Sequence, residues 1–318
     1  MNKKLTKKQE MIRSQLMLRA VVWDIFKIKD EDEYRLKSEL ESFGVPVIQM
    51  QKQTERNSSG EKYERAAACL VELGILEKEA LLITEDNDMA EYAYRQRDTD
   101  GCYGMGVVCY ETETSRNDVS ADMIVLGFEE IGIQFLDRVL KRRNGAPWNI
   151  LYTERTMVRE ITLEDLDELY ALYDGEGITD YTEPLYERQK EEAYTSSYIA
   201  YMYYYYGYGM WIVRDRKTGA LVGRAGIEHR DIGNEVLMEL GYLIGKQYQN
   251  KGYATEVCEA ILAYAKEEIG INELHCFIHP DNHASLHLAE KLGFQMAEQF
   301  DSEKEELMHL RMHLSKEL

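Results

Sequence analysis

Gln249-Asn-Lys-Gly252-Tyr-Ala254 lies between an apolar run, Glu239-Leu-Gly-Tyr-Leu-Ile244, and an amphipathic stretch that opens at Thr255-Glu256. Small residues at 252 and 254 let the backbone approach a ligand closely. The first turn of the following helix leaves its N–H groups without intrahelical acceptors, at the positive end of the helix dipole. A strand, a tight loop and a helix start in this order make a seat for a phosphate or diphosphate. An ordinary strand–helix connection with a tolerant glycine reads the same way in isolation. The flanking elements must decide.

Downstream, Glu273-Leu-His-Cys-Phe-Ile278 alternates as a strand does, and His279-Pro-Asp-Asn282-His-Ala-Ser285 reads as a turn with a helix cap. The helix that continues to Leu292 stops at Gly293, a C′ glycine before Phe294. Upstream, Gly209 to Arg214, a turn over 215–219, and Ala220 to Glu228 form a hairpin pattern.

With "GRAGI" (223–227), "MELGYLI" (238–244), "QNKGYATEV" (249–257) and "NHASLHLAEKLGF" (282–294) in order, residues 157–314 resemble the GNAT-superfamily N-acetyltransferases. The similarity is greatest to the branch of ribosomal-protein N-terminal acetyltransferases. It implies an α+β domain whose mixed sheet splays in the middle, with acetyl-CoA as cosubstrate lying in the opening. Backbone groups of Leu243 and Ile244 would then hold the pantetheine arm and thioester. Amides of Gln249, Asn250, Lys251, Gly252, Tyr253, Ala254 and Thr255 would cradle the diphosphate, and Asn282 would touch the cofactor arm or order its water.

The implied reaction is attack of an amine on a thioester through a tetrahedral intermediate. An alkylamine with a pKa near ~10 is mostly charged at neutral pH, so a base must take its proton. Glu239 is the first candidate and Glu228 the second. Counting back from the loop, Met238 competes with Glu239 for the base position, because strand side chains alternate; a bulge would restore Glu239. A structural or solvated acid at 239 is the competing account. Many relatives carry a general-acid Tyr seven residues past the Asn; here that position is Ala289. Ser285 is the nearest hydroxyl, as acid, thiol contact or simply a helix-cap partner.

A run of tyrosines from 194 to 208 falls where the family keeps its variable substrate-binding segment. Tyr198, Tyr201, Tyr205 and Tyr208 share a face at helical spacing, which core packing explains in part. Tyr198, Tyr205 and Tyr208 are also the candidate walls of an acceptor site. Asp174, Glu176, Asp180 and Glu183 just upstream suit an aminated acceptor. His275, His279, His283 and His287 recur every four residues, but Pro280 breaks any single helix, so no metal site is expected.

The first half alternates strand-like and helix-like segments: Ala20 to Phe26, Glu31 to Ser42, Gly44 to Gln49, Glu61 to Leu73 with Gly74 as its stop, Ala80 to Asp88, Gly104 to Cys109, and Ala121 to Leu126. Such alternation predicts a doubly wound, Rossmann-like parallel sheet, with Asp24, Asp86 and Asp88 at strand ends where such sheets bind ligands. Lys62 and "LLITEDNDMAEYA" give residues 1–150 a looser resemblance to a capless haloacid-dehalogenase-like hydrolase. That family needs an Asp-x-Asp pair, and here Phe26 replaces the second carboxylate; no Ser or Thr stands at 49–51. The domain is expected to be degenerate and without phosphotransfer, with residual metal or phosphate binding by Asp24 and Asp86 as the alternative.

The fold expected is therefore α/β, with a Rossmann-like domain over 1–150 and a GNAT domain over 151–318. Residues 1–150 carry 22 Lys and Arg against 27 Asp and Glu, and the remainder 16 against 31, a field that repels nucleic acid and favours cationic amines. No apolar run approaches the ~20 residues that span a bilayer, and the basic N-terminus reads as a surface helix. Cys69, Cys102, Cys109, Cys258 and Cys276 have no metal or disulfide spacing and suit a cytoplasmic protein. The expected activity is acetyl transfer to a primary amine (a protein N-terminus, polyamine or small amine), with a homodimer left open. The alternatives are a CoA-binding sensor or scaffold, and a two-headed protein with residual phosphatase activity.

Overall fold

The computed structural model describes residues 6–26, 31–52, 58–96, 104–111, 119–233, 235–301 and 306–314. The chain divides into two compact units, Met1–Ala146 and Pro147–Leu318.

In the first unit β1 (Ala20–Asp24), β2 (Val47–Gln49), β3 (Ala80–Thr84), β4 (Gly106–Tyr110) and β5 (Met123–Val125) form one sheet in the order β2-β1-β3-β4-β5. Every neighbouring pair is parallel. Parallel strands covered on both faces must be apolar throughout, and β1 and β3 are buried at every position. Alternation sends Val21, Trp23, Leu81 and Ile83 to one face and Ala20, Val22 and Leu82 to the other. The first face is covered by α2 (Glu31–Ser42) and α5 (Ile133–Arg143), through Leu36, Leu40, Leu136 and Leu140. The second is covered by α3 (Ser59–Glu72) and α4 (Asn87–Arg95), through Ala66, Leu70, Met89 and Ala93. This is the doubly wound sheet predicted. α1 (Lys7–Gln15) precedes it, capped by Thr6; residues 1–5 of the basic N-terminus, and Cys102, lie outside the described residues.

The second unit is one mixed sheet, ordered β12-β13-β11-β10-β9-β8-β7-β6. Its strands are β6 (Asn149–Tyr152), β7 (Thr156–Arg159), β8 (Met210–Asp215), β9 (Leu221–Ile232), β10 (Glu235–Ile244), β11 (Glu273–Ile278), β12 (Gln295–Asp301) and β13 (Glu306–His313). α6 (Leu166–Tyr173) and α7 (Arg188–Tyr198) precede β8, α8 (Tyr253–Tyr264) links β10 to β11, and α9 (His283–Leu292) follows β11. All neighbours are antiparallel except β10 and β11, which run parallel and pair only at Glu239 opposite His275. Beyond that point the two strands part, toward Ile244 on one and Ile278 on the other. Val257, Cys258, Ile261 and Leu262 of α8 fill the core beside them. Among the described residues, no helix is long and apolar enough to cross a membrane.

The segment after α7 departs from the helical face expected of its tyrosines. Ile199–Tyr206 is a π-helix, closed by Gly207 in the left-handed region at φ 79°. Its wider turn breaks the spacing that put residues 198, 201, 205 and 208 on one side. Tyr203, not Tyr201 or Tyr205, enters the core: its hydroxyl donates to the Met210 carbonyl at 2.5 Å and accepts from the Ile161 N–H at 3.3 Å.

Candidate active site

The gap between β10 and β11 opens onto the start of α8. Gly245 N–H bonds Val222, Tyr248 bonds Gly245 and Gln249 bonds Lys246, while the Gln249 side chain donates to the Ile244 carbonyl at 3.0 Å. From Asn250 to Thr255 the backbone N–H groups have no acceptor among the described residues. Asn250 and Gly252 both adopt positive φ, 58° and 80°, which turns this run of donors outward ahead of the helix. A Cβ on Gly252 would meet only the Arg155 guanidinium, at 3.5 Å, so the space above the loop is open. Orphaned amides and a left-handed glycine at a helix start fit a diphosphate.

Arg155 anchors this loop. Its Nη1 donates to the Lys251 carbonyl at 2.8 Å, its Nε to Glu256 at 2.6 Å, and its guanidinium lies 4.2 Å above the Tyr253 ring. Burial alone would raise the Glu256 pKa, but the Thr153 hydroxyl and the Arg155 N–H and guanidinium hold it below its ordinary value. Sequence reading missed Arg155 because its partners lie about a hundred positions away.

The carboxylates sit upstream. The β9–β10 ladder runs from Glu235 to Ile244 without a register shift, so the bulge invoked to turn Glu239 is absent from this pairing. None is needed. Glu239 pairs directly with Glu228 across the ladder, and alternation puts Glu239, Gly241 and Leu243 on the same face as Glu228, Gly226 and Arg224. Leu240 and Tyr242 face the other way: Leu240 is in the core and the Tyr242 hydroxyl donates to the Ser285 carbonyl at 2.9 Å. Met238 shares that opposite parity.

Glu239 receives Arg230 Nη1 at 3.3 and 3.1 Å and also accepts from the Phe277 N–H across the splay. Desolvation nevertheless dominates and raises its pKa above the ordinary carboxylate value. Glu228 accepts the Tyr198 hydroxyl at 2.6 Å, and that oxygen in turn accepts the Met210 N–H at 2.6 Å. Burial, with the Glu228 charge second, pushes the Tyr198 phenol well above its usual range, so it stays a donor. Ser285 lies at the first turn of α9, where its N–H bonds the Asn282 side chain at 3.2 Å. Asn282 is thus the helix cap, with its carboxamide oxygen engaged.

Residues 155–295 match the family described as the acetyltransferase (GNAT) domain. This part of the chain is a GNAT acetyltransferase domain. The family consists of acyltransferase enzymes that use acetyl-CoA. Among curated proteins, YkkB of Bacillus subtilis, itself uncharacterized, is 38% identical over 88 residues, 28% of this chain and 51% of that protein. The chain therefore spans about half the length of this relative. YoaA of the same organism, an uncharacterized N-acetyltransferase, is 28% identical over 147 residues, 46% of this chain and 82% of that protein. Among solved structures, the ribosomal-protein-S5-alanine acetyltransferase of Vibrio fischeri is 13% identical with a TM-score of 0.45, over 51% of this chain and 95% of that one.

Within the acetyltransferase domain the three tyrosines singled out from sequence have different settings. Tyr198 lies under β8 against Glu228. Tyr208 is partly buried, its hydroxyl 3.7 Å from Met238 Sδ. Tyr205 is 76% exposed and stacks on Tyr201 at 6.0 Å and 2°. The acidic stretch from 174 to 183 runs toward the turn after β11: the Tyr181 hydroxyl donates to the Asp281 carbonyl at 3.2 Å, and its ring stacks on His279. His275 contacts His309 and Glu273 instead of the other three histidines of the series. Among the described residues no group of three or more His, Cys, Asp or Glu converges as a metal site.

In the other unit, Asp24 is 5% exposed and accepts the Thr84 hydroxyl at 2.8 Å, and burial raises its pKa. Asp86 caps α4 and meets Lys62 Nζ at 2.5 Å. Asp88 stands in the first turn of α4.

Proposed function

We propose that the protein transfers an acetyl group from acetyl-CoA to a primary amine by direct attack in a ternary complex. One observation carries this reading: the orphaned amides of 250–255 adjoin a splay whose first rung, Glu239, is a desolvated carboxylate. Bound acetyl-CoA supplies an activated thioester. The amides bind its diphosphate, and the edge of β10 at Leu243 and Ile244, left without a strand partner toward β11, receives the pantetheine arm. Glu239 takes the proton of the incoming ammonium, with Glu228 across the ladder as the second base. Ala289 has no proton to return to the thiolate; the hydroxyls of Ser285 and Tyr242, at the start of α9, are the groups at hand.

The acceptor class is an amine, met by the face that α6, α7 and the following tyrosines line, with Tyr198, Tyr205 and Tyr208 among its walls. We read the first unit as a haloacid-dehalogenase-like domain without turnover. Supporting this, Asp24 is engaged by Thr84 and Asp86 by Lys62 and the α4 cap, with Phe26 where a second carboxylate is required.

The test is calorimetric titration of the full chain with acetyl-CoA, followed by thiol release with a panel of amines. Micromolar binding and amine-dependent thiol release are expected. Binding without release by any amine would leave a coenzyme sensor instead.

A further inference from the structure

On the face of β9 that carries Glu228, four residues nearer the strand's start, stands Arg224. Its Nη1 meets the Tyr173 hydroxyl of α6 at 3.3 Å, a long contact to a neutral group. Its Nε is enclosed and has no acceptor. Among the described residues no carboxylate forms an ion pair with it. The other described arginines of this sheet face that approach the core are paired: Arg159 with Asp165, Arg214 with Asp165 and Glu168, Arg230 with Glu239. Arg224 is half-buried with its Nε fully enclosed, and a guanidinium partly stripped of water without an anion is costly.

The groups around it are those of the acceptor site. Tyr198, whose hydroxyl holds Glu228, lies over Gly209 and Met210 beside Arg224, and Tyr194 senses the charges of both Glu228 and Arg224. Gly226, between the two charged residues, has no room for a Cβ: it would strike the Gly209 carbonyl at 2.0 Å. This face therefore presents a carboxylate at one end, a guanidinium at the other and phenol rings between. A guanidinium takes a carboxylate in a planar fork, which a polyamine cannot offer.

We propose that the amine acceptor also carries a carboxylate, as a free amino acid or a short peptide does, and that Arg224 binds it. The inference rests on the acetyltransferase reading above. It runs against the expectation from net charge alone, which favours a purely cationic amine: the local unpaired cation outranks a diffuse, screened field.

The experiment uses the full chain with acetyl-CoA and matched acceptors: glutamate and glutamine, glycine and glycinamide, alanyl dipeptides with free and amidated C-termini, and 1,4-diaminobutane and spermidine as carboxylate-free amines. The carboxylate-bearing members should be preferred at least tenfold in kcat/KM by the wild type. Arg224→Gln should raise their KM at least tenfold and erase the preference, with the Kd for acetyl-CoA unchanged; Arg224→Lys should restore part of it. The wild-type preference is measured independently of whether the variants fold. Preference for the amides or polyamines, or a carboxylate preference that survives Arg224→Gln, overturns the inference. Retained acetyl-CoA binding with none of the carboxylate-bearing amines acetylated also overturns it and leaves the family reading intact. Loss of acetyl-CoA binding by the wild type sinks the underlying reading instead.

Discussion

Glu239 and Glu228 stand opposite each other on adjacent antiparallel strands, yet each is restrained by a different partner: Arg230 grips the first, and the Tyr198 hydroxyl the second. Two acids in one cross-strand pair repel when both are ionised. On the rung where β10 meets β11, burial outweighs Arg230 and raises the Glu239 pKa above the ordinary carboxylate value.

Replacing Glu239 with Gln is expected to lower kcat by about 100-fold or more, in line with loss of a general base. The Kd for acetyl-CoA should not move, because the seat proposed for its diphosphate, 250–255, lies elsewhere on the chain. If Glu228→Gln has the larger effect on kcat, the roles of the two acids are reversed.

The pH dependence has a definite sign. A base works only when ionised, so activity must rise with pH as Glu239 loses its proton. Burial raises its pKa, which moves this acid limb above the ordinary carboxylate range. Arg230 lowers it. Arg230→Gln should therefore carry the limb further toward neutral pH, as read from kcat/KM between pH 4 and 8. A limb that stays in place would assign it to another group.

Gly252→Val should abolish measurable acetyl-CoA binding, since a side chain at φ 80° strains the backbone and projects into the open space over the amides. The strain itself costs about 1–2 kcal/mol. Gly270 has the same φ of 80° with nothing near it, so Gly270→Val is the matched control. It should lower the melting temperature similarly and leave coenzyme binding intact. Equal binding by both variants would remove the loop from the site.

Asp165 is 2% exposed and accepts from Arg159 at 2.7 and 2.5 Å and from Arg214 at 2.5 Å. Burial would raise its pKa, but the two guanidinium groups prevail and hold it below the usual value. Asp165→Asn takes the anion from Arg159 and leaves Arg214 with Glu168 alone, and should cost about 3–5 kcal/mol. For a depressed carboxyl, the stabilisation is present above its unfolded pKa of about 4 and is lost as pH falls through the lower folded value. Chemical denaturation should show the variant's deficit narrowing below pH 4; a constant deficit would point to packing instead of charge.

Tyr203 and Tyr205 should behave as opposites. Tyr203→Phe leaves the buried Ile161 N–H without its acceptor and is expected to destabilise by about 1–3 kcal/mol. Tyr205→Ala, at an exposed position, should stay within about 0.5 kcal/mol of wild type. A raised KM for the amine in that variant would mark the exposed ring pair as part of the acceptor wall.

The loop geometry at 250–255 was legible before any coordinates because its causes are local. A left-handed glycine, an unpaired first turn and a cap at Asn282 are each specified within a few residues, and so are the period-2 and period-3.6 patterns around them. The buried strands of the first unit announced themselves likewise as unbroken apolar runs. Partners were another matter. Arg155 with Glu256, Tyr198 with Glu228 and Arg224 with Tyr173 join residues tens of positions apart, and no periodicity encodes which strand lies beside which. The π-helix shows the same limit: its tyrosines fit an α-helical face on paper, but in the fold it is Tyr203 that enters the core, bonded to Ile161 and Met210 outside the segment. Short-range geometry follows from residue type; which charge meets which, and which acid is desolvated, is decided only when the sheet closes around them.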